Sequence, residues 1–280
     1  MNYRHAFHAG NFADVFKHAL LARALVHLAA KPTPLLYLDT HAGRGSYDLS
    51  ADAPSRTLEW RFGLARACAA LETAPPEVAR LLVPWRDAVG ALDADGRPVA
   101  PYPGSPSLAA RLLRPQDRIV ACELHPEDGA ALAAVLRGDR RAQVRADDGY
   151  RALGALVPPP ERRGLVLVDP PFEATDEFAA MERAVLRAHR KWPTGAYLLW
   201  HPLKDRVAAD ALARTVLAAS PKRLVRATLD VGPGEGLRAT GLLTINPPFT
   251  FADEARVILP FLARAMGAPG AWTCEILADA

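Results

Sequence analysis

Four consecutive apolar residues, Leu165, Val166, Leu167 and Val168, run directly into Asp169, Pro170, Pro171 and Phe172. An unbroken apolar run of this length fits a strand buried on both faces, as in a parallel sheet covered by helices. Neither proline has an N–H to donate, so the ladder must stop there. The Asp169 carboxylate, the Pro170 carbonyl and the Phe172 ring are therefore expected at the carboxyl end of a strand. Open α/β sheets bind their ligands at that edge. Two acceptors beside an aromatic face suit a planar base carrying an exocyclic amino group. The plainer alternative is a strand-ending turn in which Asp169 and the prolines only break the ladder.

The remaining chain alternates helical and strand-like segments. Residues 12–30 carry apolar side chains at helical spacing, ended by Pro32 and Pro34. Leu35 to Leu38 predict a buried strand closing at Asp39, then a tight turn from Thr40 to Gly45. Residues 53–113 read as mostly helical, broken at Pro75 and Pro76 and by a turn-rich stretch over 93–106. Ile119 to Cys122 predict a second strand ending at Glu123, Val144 to Asp148 a weaker third, and 165–168 a fourth. Ala196 to Trp200 predict a fifth, and further strands are expected at 224–231 and 241–245 around the loop Gly232 to Gly236. This alternation predicts a doubly wound α/β fold with a mainly parallel sheet. The interval from Asp39 to Glu123 far exceeds the roughly 20 residues of a plain βαβ step. A helical insertion over 54–104 is expected, interrupting a core made of 1–53 and 105–280.

Composition narrows the setting. No stretch of the 280 residues approaches the roughly 18 uninterrupted apolar residues of a membrane span. Met1 to Lys17 is dotted with His, Arg and Asp, unlike a signal peptide. Cys68, Cys122 and Cys274 are far apart and odd in number, against a disulfide framework or a zinc site. A cytoplasmic protein is expected. The net charge of +3 permits a nucleic-acid partner without demanding one.

Asp39 with its glycine turn, Glu123, Asp148 with Gly149, and Asp169 end successive predicted strands. In a parallel sheet they share one edge, where an elongated ligand can touch them in order. Glu123 can accept both hydroxyl hydrogens of a ribose, and Asp148 can accept from an adenine amino group, as S-adenosylmethionine requires. A nicotinamide dehydrogenase fits less well, because the turn from Asp39 to Gly45 is not Gly-x-Gly-x-x-Gly and its acidic partner is distant. Hydrogen bonds from an adenine amine to Asp169 and the Pro170 carbonyl would localise the nitrogen lone pair, and Asp169 could take the departing proton. Phe172 would stack on an extruded base, an interaction of about 1–3 kcal/mol. Such chemistry needs no metal, and His5, His8, Asp14 and His18 are read as surface groups rather than ligands. Lys17 pairs a phosphate or lies solvated. Asn246, before a second Pro-Pro-Phe, is read as structural on an edge or hairpin strand. The Gly232 to Gly236 loop is read as a hairpin tip, with an RNA contact as the alternative. Trp200, His201 and Pro202 line the pocket or pack in the core.

The block from Tyr3 to His18, with Leu38 to Gly43, Tyr102 to Pro106, Glu123 to Pro126, Asp148 to Tyr150 and Asp169 to Phe172, resembles the RlmJ family over nearly the whole chain. These are bacterial 23S ribosomal RNA adenine-N6 methyltransferases. The resemblance implies a class I (Rossmann-like) S-adenosylmethionine-dependent methyltransferase fold with an inserted helical subdomain. It implies cofactor contacts from His18, His41, Ser105, Glu123, Asp148, Gly149 and Asp169, with Asp169 also the proton acceptor beside Pro170 and Phe172. Tyr3 would lie by the RNA. Many relatives carry Tyr where Phe172 stands; stacking survives and a hydroxyl hydrogen bond is lost. The alternatives are an RNA guanine-N2 methyltransferase and a non-catalytic RNA-binding assembly factor. DNA adenine methylation is disfavoured because no separate DNA-recognition domain is apparent. The substrate is expected to be 23S ribosomal RNA, free or in early assembly particles, and the enzyme a monomer without metal or membrane.

Overall fold

The computed structural model describes residues 5–279. A 3-10 turn, His5–Phe7, leads into α1 (Phe12–Ala29), whose first amides are capped by Asn11: its side-chain oxygen accepts from Ala13 and Asp14 N–H, each at 3.0 Å. After β1 (Leu36–Asp39) come β2 (Ser46–Tyr47), α2 (Asp52–Thr57), a π-helical turn (Arg61–Ala65), α3 (Arg66–Leu71), α4 (Pro76–Val89), β3 (Tyr102–Pro103) and α5 (Ser105–Leu112). The chain continues through β4 (Arg118–Cys122), α6 (Pro126–Val135), β5 (Ala142–Arg145), α7 (Gly149–Leu156), β6 (Gly164–Val168) and α8 (Glu177–Lys191). It ends with β7 (Ala196–Pro202), α9 (Arg206–Ala218), β8 (Arg223–Asp230), β9 (Ala239–Ile245), α10 (Phe251–Ala265) and β10 (Trp272–Asp279).

The main sheet has eight strands in the order β10-β8-β9-β7-β6-β1-β4-β5. Strands β5, β4, β1, β6 and β7 are mutually parallel; β9 runs antiparallel to β7 and β8, and β10 antiparallel to β8. The crossovers from β1 go first to β4 and β5, then back across to β6, so the strand order reverses between β1 and β6. A crevice opens at such a switch point, and Asp39 and Asp169 stand on either side of it. The fold is the expected class I methyltransferase sheet.

Alternation along the strands fills both layers. Tyr37, Leu165 and Leu167 point into one apolar cluster, with α1, α4, α5 and α10. Leu36, Leu38, Val166 and Val168 point into the other, with α7, α8 and α9. This two-sided burial explains why β6 reads as an unbroken apolar run. Helix α1 is buried around most of its circumference because α4, α5 and α10 all pack on it. Between β1 and β4, the pair β2–β3 brackets α2, α3 and α4. Trp60, Leu64, Leu82 and Trp85 of that segment belong to the same apolar cluster as α1 and the sheet.

Two expectations need correction, and a third is decided between its alternatives. The third strand is Ala142–Arg145, so it ends before Asp147 and Asp148 rather than running through them. Its side chains are only partly covered at the sheet's edge, which blurs the apolar signal. Strand β9 is a hairpin strand but not an edge, since it lies between β7 and β8. Strand β10 has no counterpart among the strands expected from the sequence. It borders the sheet, and its half-exposed side chains give no buried pattern.

Candidate active site

The carboxyl ends of β1, β4, β6 and β7, together with the start of α1, enclose a cavity of about 470 Å³. At the end of β1, the Thr40 N–H and hydroxyl both bond the Leu167 carbonyl, at 3.1 and 3.0 Å, tying the first turn across to β6. Ala42 N–H donates to Cys122 O at 2.8 Å, and Gly43 N–H to Glu123 Oε2 at 2.8 Å. The other carboxylate oxygen of Glu123 accepts from His125 N–H at 2.8 Å. These bonds hold Glu123 against the glycine turn while its remaining lone pairs face the cavity it lines. Asp148 caps α7 by accepting from Arg151 N–H at 2.8 Å. Behind it, a Cβ at Gly149 would lie 2.0 Å from the Thr40 carbonyl oxygen, so only glycine lets α7 approach β1 this closely.

Asp169 emerges from β6 opposite α1. Lys17, buried with 4% exposure, places Nζ 2.5 Å from Asp169 Oδ2 and 3.0 Å from Asp14 Oδ1. Asp14 in turn accepts from Gly10 N–H at 3.0 Å and lies 3.0 Å from His5 Nε2. The result is a row His5, Asp14, Lys17, Asp169 along the cavity wall. Burial works against the Lys17 charge, but Asp169 and Asp14 more than offset it and raise its pKa above the ordinary lysine value. Burial likewise opposes ionisation of Asp14, yet His5 and Lys17 hold its carboxyl well below the usual range. Lys17 therefore does not lie solvated; its ammonium is held between two carboxylates. Sequence reasoning named Lys17 but missed this role: Asp14 stands three residues away, whereas Asp169 lies far along the chain and nothing in the local pattern links it to Lys17.

Phe172 has φ +49°, in the left-handed region that non-glycine residues seldom adopt. This turn stacks its ring edge-on against Phe178 at 4.9 Å and Trp200 at 5.9 Å. Pro170, Phe172, Trp200 and Pro202 line the cavity with Asp169. His201 is instead buried, and burial pushes its pKa down to about 4. The second Pro-Pro-Phe behaves differently. There Asn246 itself takes the positive φ, at +48°, and its amide donates to the Pro193 and Gly195 carbonyls at 2.7 and 3.0 Å. Because β9 is reversed and Ile245 pairs with Tyr197, Asn246 sits at the sheet edge opposite Asp169.

The remaining expected residues converge on the same cavity. His18 and His41 both line it. His18 is 2% exposed with Nδ1 2.8 Å from the Tyr102 hydroxyl, and burial pushes its pKa down to about 3. Burial pushes His41 down to about 4, so both imidazoles are neutral at pH 7. Ser105, at the start of α5, donates to Asp39 Oδ2 at 2.6 Å, as Tyr37 does at 2.8 Å. Asp39 is fully buried, which pushes its pKa up to about 6 against those two hydrogen bonds. Tyr3 lies outside the described residues. Among the described residues no group of three His, Cys, Asp or Glu side chains is arranged to hold a metal. Of the four residues weighed as metal ligands, His8 turns to Glu59 at 3.0 Å and the others bond as given above. The surface reading of these four is corrected for Asp14 and His18, which the helices packed around α1 bury.

The sheet order, with its crevice at the β1–β6 switch, is that of the class I methyltransferase fold. The family model for "Ribosomal RNA large subunit methyltransferase D, RlmJ" matches residues 32–278. Ribosomal RNA large subunit methyltransferase J of Haemophilus influenzae is 35% identical over 280 residues, covering 98% of each chain. Its Escherichia coli namesake is 36% identical over 265 residues, covering 94% of this chain and 92% of its own. A crystal structure of a Legionella pneumophila protein, 36% identical, superposes with a TM-score of 0.87 over 98% of this chain and 99% of that one. The chain belongs to the RlmJ family of ribosomal RNA large subunit methyltransferases.

Proposed function

We propose that this protein transfers a methyl group from S-adenosylmethionine to N6 of an adenine in 23S ribosomal RNA. The observation that carries the reading is the placement of Asp169 and Pro170. They meet an aromatic wall of Phe172 and Trp200 at one end of a cavity whose other end holds Glu123 and Asp148. The donor set fits the cofactor: two carboxylates able to accept from ribose hydroxyls and an adenine amine, Leu124 as an apolar surface beside them, and neutral His18 and His41. S-adenosylmethionine supplies an electrophilic methyl group on its sulfonium.

Everything else falls to the chain's own residues. Lys17 occupies Asp169 Oδ2, leaving Oδ1 without a protein donor among the described residues and available to a base amine. The Pro170 carbonyl offers the second acceptor. Two such bonds orient the N6 lone pair, which adenine otherwise delocalises into its ring, and Asp169 accepts the departing proton directly or through water. Phe172 stacks on the extruded base. His18, His41, Ser105, Glu123, Asp148 and Gly149 form the cofactor side, and Tyr3 lies on the RNA side. Residues 1–53 and 105–280 form the catalytic core, and 54–104 an inserted helical subdomain. The protein acts in the cytoplasm, as a monomer, and without a metal.

The test is incubation with labelled S-adenosylmethionine and deproteinised 23S RNA from cells lacking the enzyme, followed by nucleoside mass spectrometry. N6-methyladenosine is expected, and Asp169→Ala should abolish it while cofactor binding stays measurable. N2-methylguanosine would replace this reading with a guanine methyltransferase.

A further inference from the structure

A second cavity of about 480 Å³ adjoins the first and shares Lys204 and Gly236 with it. Its walls are the β7–α9 connection, with Leu203, Lys204 and Arg206, and the β8–β9 loop from Gly232 to Ala239. The sheet order places it on the β7 side of Asp169, away from Glu123 and Asp148 on the β4–β5 side. It therefore opens from the end of the cavity where the base is held, not from the cofactor end.

The charges in this groove are unequal. Three cations, Lys204, Arg206 and Arg238, face one carboxylate, Asp230, while the loop's own acid, Glu235, is not among the lining residues. Arg206 is matched to Asp230 at 3.0 Å. Arg238 donates to the Gly232 and Val231 carbonyls, each at 2.9 Å, which builds its guanidinium into the loop and fixes the loop's course. Lys204 is exposed and makes no hydrogen bond or ion pair among the described residues, although it stands on the boundary between the two cavities. The amides of Gly234 and Gly236 likewise bond nothing among the described residues, and neither glycine has a side chain to fill the groove. Unsatisfied glycine amides beside a free ammonium form a concave surface suited to an oxyanion.

We propose that this groove is a subsite for the RNA backbone, binding the phosphodiester next to the target adenosine through Lys204 and the Gly234 and Gly236 amides. It rests on the adenosine reading above. A base held at Asp169 and Phe172 must send its ribose and phosphate out of the cavity, and this groove is an exit whose one unpaired charged side chain is a cation, Lys204. Arg238 sets the loop and Lys204 takes the charge. Contacts of this type position a substrate without reading its sequence.

The test compares Lys204→Glu, Lys204→Arg and the control Lys222→Glu. Lys222 precedes β8 at the opposite edge of the sheet and is exposed. RNA affinity is measured directly by filter binding from 50 to 200 mM KCl, in parallel with methylation of the same RNA and with S-adenosylmethionine affinity. Lys204→Glu should weaken RNA binding at least tenfold and lower the slope of log affinity against log salt by roughly 0.7. It should leave cofactor affinity unchanged, while Lys204→Arg restores RNA binding and Lys222→Glu binds as wild type does. Wild-type RNA affinity and salt slope in Lys204→Glu would overturn the subsite, as would an equal loss in Lys222→Glu. A wild-type protein that binds RNA through Lys204 but makes no N6-methyladenosine would refute the adenosine reading alone. A wild-type protein that binds no RNA would refute both.

Discussion

Lys17 is the residue on which the electrostatics of the site turn, since it is a buried cation shared by two carboxylates. Removing one partner from such a pair leaves an uncompensated charge and typically costs about 3–5 kcal/mol. Lys17→Met should therefore lower the unfolding free energy by that order in urea titration. It should also reduce single-turnover methylation by about a hundredfold or more, as loss of a charge-stabilising donor does elsewhere. Equal turnover in the variant, under conditions where it is folded, would remove Lys17 from the mechanism. His18 gives a second expectation. Its folded pKa of about 3 lies below the ordinary 6.5, so the unfolded chain binds the extra proton first. Its contribution is present above pH 6.5 and is lost as pH falls toward 3, on the order of 3 kcal/mol by pH 4. His18→Gln should flatten the acid limb of stability measured by urea unfolding between pH 7 and 4; an unchanged limb would show that His18 is not the group responsible. Asp169 was legible in the sequence because a strand, two prolines and an aromatic mark it locally. Lys17 was not, because its meaning depends on a helix being folded over a distant strand end.

At the level of elements, the start of α1 is held from outside by the segment running from the end of α2 through the π-helical turn. Leu64 N–H donates to the Gly10 carbonyl at 2.9 Å, Asn11 donates to Glu59 at 3.0 Å, and Thr57 donates to the Phe7 carbonyl at 2.5 Å. A Cβ on Gly63 would lie 2.4 Å from the Asn11 carbonyl carbon and 2.5 Å from the Gly10 oxygen. Gly63→Ala should push this turn away from α1, with an overpacking cost of about 1–3 kcal/mol. Because that end of α1 carries Asp14 and Lys17, the turnover number should fall even at temperatures where the variant is fully folded. A variant with lowered melting temperature and unchanged turnover would mean that the turn supports stability only. The elements themselves were unevenly legible. Strands covered on both faces, β1, β4 and β6, appear as apolar runs, whereas β5 and β10 at the sheet edges keep mixed, half-exposed side chains and give a weak signal or none. The π-helical turn has no sequence mark beyond a glycine whose need is visible only once Gly10 packs on it.

For the whole molecule, the decisive fact is that the segment between β1 and β4 brings no core of its own. Trp60, Leu64, Leu81, Leu82 and Trp85 pack in one continuous cluster with Phe16, Leu20 and Leu21 of α1 and with Leu259 of α10. Removing that segment would expose α1, and losing α1 would uncover one face of the sheet. Cooperative units follow such shared burial, so calorimetry should give one transition with calorimetric and van't Hoff enthalpies in agreement. S-adenosylmethionine at a hundred times its dissociation constant should move that transition as a unit, by about 2.7 kcal/mol, or roughly 5 °C for a chain of this size. Fluorescence from the tryptophans, with Trp60 and Trp85 in the inserted segment and Trp200 and Trp272 in the sheet, should follow the same curve. Two separate transitions, with only the later one shifted by the cofactor, would mean that residues 54–104 unfold independently and do not brace the start of α1.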